Sequence, residues 1–294
     1  MRLFKRDTTE ATEETPSDQA STAPLDPSLL DPTNGEIFRQ HLISGASLAK
    51  GSEHDVNDDS VLTLSSSVES SDELPDFGIF CVADGVTGQG GGARASSIAI
   101  RSVAHSLTKV AYLHLINRDP DEEVDPAQDL VRFAIERANR MVRSQAKGSA
   151  TTMTLALLWG NHMTIGQVGD SRAYLVAEGK YELLTTDHSV LQRLMDTGVI
   201  TEREAKDHPQ KNVLWNALGK EIEVKVDIVT QGIPEGGYLL ICSDGLWDVL
   251  SEEHIHQSFN ELVQPQLICE RLVHDVVEAG APDDVSVVIV KFPG

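Results

Sequence analysis

A chain of 294 residues has room for one large domain or two small ones, and its 40% hydrophobic content is enough for a sizeable core. The formal net charge of −22 excludes a nucleic-acid binder, because phosphate-rich partners require a basic face. No apolar run approaches the roughly 18 residues of a membrane span, and the N-terminus MRLFKRDTTE lacks the apolar centre of a signal peptide. Cys81, Cys242 and Cys269 stand far apart in apolar settings and read as reduced core thiols. Together these features predict a cytoplasmic protein with neither nucleic acid nor membrane as a partner.

Residues 1–34 are predicted to form a disordered, acidic, Ser/Thr/Pro-rich tail, since positions 7–34 hold no basic residue and little that could be buried. The folded part is placed at 35–294. Strands are predicted at 60–65, 77–83, 151–158, 162–168, 172–176, 181–184, 223–230, 237–242 and 285–292. Long amphipathic helices are predicted at 93–116, 127–147 and 264–279, with shorter ones at 189–197, 201–207 and 252–259. Thr201 with Glu204 makes a capping box, and Ser251 is a fitting N-cap before two glutamates. Strands that come in runs and long helices that come as a pair argue against regular βαβ winding. An α+β sandwich, with sheets inside and helices outside, fits the order.

The ends of these strands carry the chemistry. FGIFCVADG and GYLLICSDG both run from a buried strand into Asp-Gly, at Asp84 and Asp244. MTIGQVGDSR delivers Asp170, APDDVSVVIV places Asp283 and Asp284 before the last strand, and HDVNDDSVLTL places Asp58 and Asp59 before an early one. Any single Asp-Gly can be a simple turn. Several converging carboxylates, however, cannot all stay ionised without compensation. Oxygen-only ligands favour Mg²⁺ or Mn²⁺, and Gly85 and Gly245 leave room for backbone close to an ion. Two such ions can activate water and clamp a phosphoryl group. GQGGGA at 88–93 also fits a dinucleotide-binding turn, but no strand ending in an acidic residue follows at the required distance.

In this order the motifs NDDS, ADGVTGQGGGARAS, GSATTMTLALL, VGDSRAYLV, LTTDHSVLQRLMDTGVITEREA, CSDGLWDVL and PDDVSVVIV resemble the metal-dependent protein serine/threonine phosphatases of type 2C, with a compactness that suits a bacterial member. The resemblance runs from about Ser44 to Phe292. It implies a four-layer αββα sandwich of two antiparallel sheets flanked by helix pairs, holding two Mn²⁺ or Mg²⁺ ions at one end. It implies that Asp84 bridges both ions, that the Gly85 carbonyl and Asp59 serve one, and that Asp244 and Asp283 serve the other. Asp58 would act through a water on the metal, and Asp170 and Asp248 match positions that hold a third ion in some members. The implied reaction is hydrolysis of phosphoserine and phosphothreonine by a metal-activated water. Its substrates would be phosphorylated proteins made by a Ser/Thr kinase, and the enzyme would be a cytoplasmic monomer acting in signalling.

Two departures touch the substrate side. His54 stands where many members carry an arginine that grips phosphate, and Gln89 stands where a histidine is proposed as general acid, with Thr87 replacing a nearby glycine. With Asp84 and Asp244, these two complete the candidate catalytic set. The alternative reading they support is a metal-binding pseudophosphatase that docks phosphoproteins or a kinase. His188, Arg172, Trp215 and Trp247 read as structural: a hydrogen-bonder, an ion-pair partner and two packing residues.

Overall fold

Among the described residues strand pairing is entirely antiparallel, and its register is what gathers the acidic strand ends. The structure is a computed structural model and describes residues 41–68, 74–86, 91–117, 125–205 and 208–294, within the unit Gln40–Gly294. One sheet has the order β1-β10-β9-β6-β7, built from β1 (Ile43–Ala49), β10 (Val285–Lys291), β9 (Tyr238–Cys242), β6 (Arg172–Ala177) and β7 (Lys180–Leu183). The other has the order β2-β3-β4-β5-β8, built from β2 (Ser60–Ser66), β3 (Phe77–Ala83), β4 (Met153–Trp159), β5 (His162–Val168) and β8 (Asp227–Gly232).

Alternation of side chains across each pleat explains the layering. Phe80, Val82, Leu158 and Ile165 of one sheet meet Leu239, Ile241, Val288 and Val290 of the other in an apolar interior layer. The opposite faces are equally apolar, which is why β3 and β10 read as unbroken buried runs. Ile79, Cys81, Leu155 and Leu157 pack beneath α1 (Gly92–Leu107) and α3 (Ala127–Gln145). Leu240, Cys242, Val287 and Ile289 pack beneath α7 (Glu252–Glu261) and α8 (Pro265–Glu278). The result is the predicted α+β sandwich of four layers. All three cysteines are buried free thiols.

Several local expectations are corrected. β1 escaped the sequence reading because ISGASLA is made of small residues and is only half-buried at a sheet edge. Its exposed backbone is occupied by Gln266 of α8, whose amide accepts from Ala46 N–H and donates to Ala46 O, each at 3.1 Å. The run expected as one helix to 116 changes to a π-turn over Thr108–Tyr112 before α2 (Leu113–Asn117). β8 begins at Asp227 rather than 223. A four-residue α6 (Asp244–Trp247) follows β9, too short to carry any periodicity. The helix expected at 189–197 is α4 (Val190–Asp196), capped by Ser189, and that at 201–207 is the single turn α5 (Glu202–Ala205). The Thr201–Glu204 box forms, with Thr201 N–H donating to Glu204 Oε2 at 2.8 Å, and Ser251 Oγ accepts from His254 N–H at 3.2 Å. The tail expected at 1–34 lies outside the described residues, as do 87–90, including Gln89. Among the described residues no helix is long and apolar enough to cross a membrane.

Pairing of Ser60 with Ala83 sets Asp59 beside Asp84, and pairing of Cys242 with both Val287 and Arg172 sets Asp244 near Asp284 and Asp170. The seam between α3 and the sheet depends on Gly166, where an added Cβ would come within 2.5 Å of both Ile135 and Val131. We expect Gly166→Val to overpack this seam by about 1–3 kcal/mol, lowering the Tm by about 3–10 °C in a thermal melt.

Candidate metal centre

The backbone that carries each acidic residue is fixed before any ligand is considered. Asp84 leaves β3 held by two threonines: its N–H donates to Thr152 Oγ1 at 2.9 Å, and its carbonyl accepts from Thr152 N–H and Thr151 Oγ1, both at 2.8 Å. Asp244 opens α6, so its carboxylate sits at that helical turn's N-terminal end. Asp170 follows Gly169, whose N–H donates to His188 Nδ1 at 3.3 Å and whose carbonyl accepts from Gln167 Nε2 at 2.9 Å.

The two Asp-Gly glycines serve closeness between acidic loops. A Cβ on Gly85 would lie 2.5 Å from the Asp58 carbonyl oxygen and from Gly92 C, and one on Gly245 would lie 2.0 Å from the Asp284 carbonyl oxygen. Neither site tolerates a side chain, because the neighbour in each case is backbone. The sequence reading assigned these glycines to close approach of an ion; the structure gives the prior reason that one acidic loop must pack on another.

The side chains then converge. Carboxylate oxygens of Asp84, Asp170 and Asp244 lie within 4.8 Å of one another. Both oxygens of Asp59 and Oδ1 of Asp244 are buried without a hydrogen-bond partner. Burial pushes the Asp59 carboxyl up to about 7, with the charges of Asp244 and Asp284 adding to this. Burial, with Asp283 beside it, raises Asp244 to about 6. Burial and mutual repulsion hold Asp84 and Asp170 well above the ordinary carboxylate range. A set of oxygen donors that cannot ionise together, with bare lone pairs facing inward, fits hard divalent cations.

Asp283 and Asp284 divide their work. The Asp283 side chain is 44% exposed at the mouth, whereas Asp284 is 2% exposed and acts as a clamp. Asp284 Oδ1 accepts from Gly51 N–H at 2.7 Å, and its Oδ2 accepts from Asp58 N–H at 2.6 Å and from His54 Nδ1 at 2.9 Å. His54 therefore stands at the mouth with Nε2 3.6 Å from Asp283 Oδ1, and its bond to Asp284 raises the imidazole pKa. His54, Asp283 and Asp284 make a second group whose ligand atoms lie within 4.8 Å of one another. Asp248, whose N–H donates to the Asp244 carbonyl at 2.9 Å, belongs to neither group. Its Oδ2 pairs with Lys211 Nζ at 2.8 Å.

Residues read as structural behave so. Arg172 grips Asp187 with two bonds of 3.0 and 2.8 Å and lies 3.6 Å above the Trp247 ring, whose Nε1 donates to the Asp170 carbonyl at 3.2 Å. His188, 1% exposed, accepts at Nδ1 from Asn216 Nδ2 at 2.7 Å as well as from Gly169. Its Nε2 therefore carries the proton donated to Asp227 Oδ2 at 3.0 Å, and burial keeps its pKa low. Sequence reasoning missed Asp284 and the Thr151–Thr152 pair as supports. The signals were present as an Asp doublet and a Thr doublet beside strand ends, but only tertiary pairing shows what they hold.

Comparison with known proteins agrees with this geometry. The model of the protein phosphatase 2C family matches residues 52–275. The serine/threonine protein phosphatase PstP of Mycobacterium tuberculosis is 31% identical over 220 residues, covering 72% of this chain but only 40% of PstP. The serine/threonine phosphatase stp of Listeria monocytogenes is 30% identical over 232 residues, covering 76% of this chain and 86% of that protein. The crystal structure of the M. tuberculosis phosphatase PstP/Ppp superposes with a TM-score of 0.72 at 28% identity, covering 87% of this chain and all of the other. The PstP catalytic domain in complex with two manganese ions gives a TM-score of 0.70 at 27% identity, with 86% of this chain and 99% of that one covered. With its fold, its acidic centre and a family match across most of its length, the chain belongs to the protein phosphatase 2C family.

Proposed function

We propose that this chain is a Mn²⁺- or Mg²⁺-dependent protein phosphatase that hydrolyses phosphoserine and phosphothreonine in proteins. The observation that carries the reading is the convergence of Asp84, Asp170 and Asp244 within 4.8 Å, with Asp59 bare beside them. Asp84 would be shared by two ions, with Asp59 and the Gly85 carbonyl completing one set and Asp244 and Asp283 the other. When bound, two such cations supply the charge that makes water a nucleophile near neutral pH and neutralises a phosphoryl group.

The chain's own residues hold, aim and exclude. The Thr151–Thr152 clamp fixes Asp84, and the Arg172–Trp247 stack fixes the Asp170 loop. Asp284 sets His54 at the mouth, where an incoming phosphomonoester would pass. Gln89 would offer a hydrogen bond to the leaving oxygen without a proton to transfer. A third ion between Asp170 and Asp248 would have to displace Lys211 from Asp248, so we assign it no part in the basic reaction. The phosphatase domain is taken as 35–294, with 1–34 as a tail. We place the enzyme in the cytoplasm, as a monomer that reverses the work of a Ser/Thr kinase. Relatives with phosphatase names and a manganese-bound neighbour favour this over a docking-only pseudophosphatase.

Asp84→Asn and Asp244→Asn are each expected to abolish Mn²⁺-dependent hydrolysis of a phosphothreonine peptide, while the metal-free Tm stays level or rises because a buried repulsion is relieved. Full turnover in either variant at saturating metal would contradict the assignment.

The same repulsion gives a pH signature. Asp59 in the fold titrates at about 7, far above its unfolded value near 4. Between those values the folded chain keeps a proton that the unfolded chain has lost. Its contribution to stability is full below the unfolded value and is lost as pH rises through the folded one. The metal-free protein should therefore lose about 3 °C or more in Tm from pH ~5.5 to pH ~8, and saturating Mn²⁺ should flatten or reverse that slope. Scanning calorimetry with and without a chelator reads both.

A further inference from the structure

The family resemblance gives Asp58 a role through water on a metal, yet its contacts here point elsewhere. Asp58 is 9% exposed, and its Oδ1 accepts the N–H of Ala93 at 2.9 Å. Ala93 is the second residue of α1, whose N-cap is Gly91 and whose first turn contains no acidic residue. The helix thus begins with no side chain of its own to take its free N–H groups. An N-cap carboxylate accepts from the second or third residue of the helix, and Asp58 makes that bond from another part of the chain. The rest of Asp58 is held in register with it. Its carbonyl accepts from Ser96 Oγ at 2.7 Å, and its N–H donates to Asp284 Oδ2 at 2.6 Å.

We propose that Asp58 is a positioning residue: it caps α1 in trans and so holds the first turn of that helix, at Gly92 and Ala93, against Gly85. One residue thus touches both sides of this junction, since Gly85 packs on the Asp58 carbonyl and Ala93 bonds its side chain. A chain of contacts then runs from the start of β10 through Asp284 and Asp58 to α1. The inference bears on the phosphatase reading because Asp84 directly precedes Gly85, but its test does not depend on turnover alone.

Asp58→Asn and Asp58→Ala remove the same charge, and only asparagine keeps an acceptor for Ala93 N–H. In the full chain we expect the two variants to separate. Asparagine should hold the metal-free Tm near wild type and keep Mn²⁺ affinity and phosphothreonine-peptide turnover within about threefold. Alanine should lower the Tm by about 2–4 °C and cost about tenfold in turnover through the displaced start of α1 beside Gly85. If the two variants instead fall together in Mn²⁺ affinity, Asp58 serves the metal through its charge and the proposal is overturned. Should alanine fail to fold, asparagine with near wild-type Mn²⁺ affinity supports the cap, and a tenfold loss overturns it. A wild-type chain that bound Mn²⁺ but hydrolysed nothing would contradict the phosphatase reading, while the Tm and affinity comparison would still decide this one.

Discussion

Like charges brought together in a low-dielectric pocket repel, and this protein gathers Asp59, Asp84, Asp170 and Asp244 at one end of a sandwich. Each titrates above its ordinary range because burial penalises the ionised form first and its neighbours penalise it further. No hydrophobic gain comes from placing four carboxylates there. The arrangement is sustained by the scaffold around it, and it becomes favourable once divalent cations take up the charge. Stability and function are thus opposed in the metal-free chain, as is common where a site is built before its ligand arrives.

The scaffold meets this cost with rigid, short-range devices. Two apolar layers outside the sheets and one between them anchor strands whose ends the acidic residues extend. Antiparallel register sets those ends side by side. Gly85 and Gly245 let one loop's backbone lie against the carbonyl of another, and the Asp284 carboxylate gathers three N–H donors from two turns of chain. His188 and Gln167 grip the two sides of Gly169, so Asp170 does not depend on its own loop for orientation. All of these but the part-buried His54–Asp284 bond are buried, and each buried one would leave an unsatisfied group if its partner were removed.

Much of this was legible in the sequence, for identifiable reasons. Buried runs such as FGIFCVA and YLLIC announce central strands, and Asp-Gly directly after them announces carboxylates at strand ends. Ordered motifs across most of the chain announced the family and its four layers. What was not legible depends on partners distant in sequence. β1 carries too little apolar contrast to stand out, and its edge is completed by Gln266 from α8. α6 is a single turn. The reason for Gly85 and Gly245 lies in carbonyls of Asp58 and Asp284, which no local pattern reveals. In sequence Asp58 and Asp284 stand among the converging carboxylates, Asp58 with an implied role through water on a metal, and only pairing in space separates a cap and a clamp from ligands such as Asp59 and Asp283 are proposed to be.

The central claim is that the carboxyls whose pKa burial and neighbouring charge raise are the metal ligands. Calorimetric titration of Mn²⁺ into the metal-free chain near pH ~6.5, repeated in buffers of different ionisation enthalpy, tests it most directly. The account predicts binding of about two equivalents with net proton release, because carboxyls held above their ordinary range must lose protons to accept the cations. Binding with no proton release, or no saturable binding at all, would contradict it.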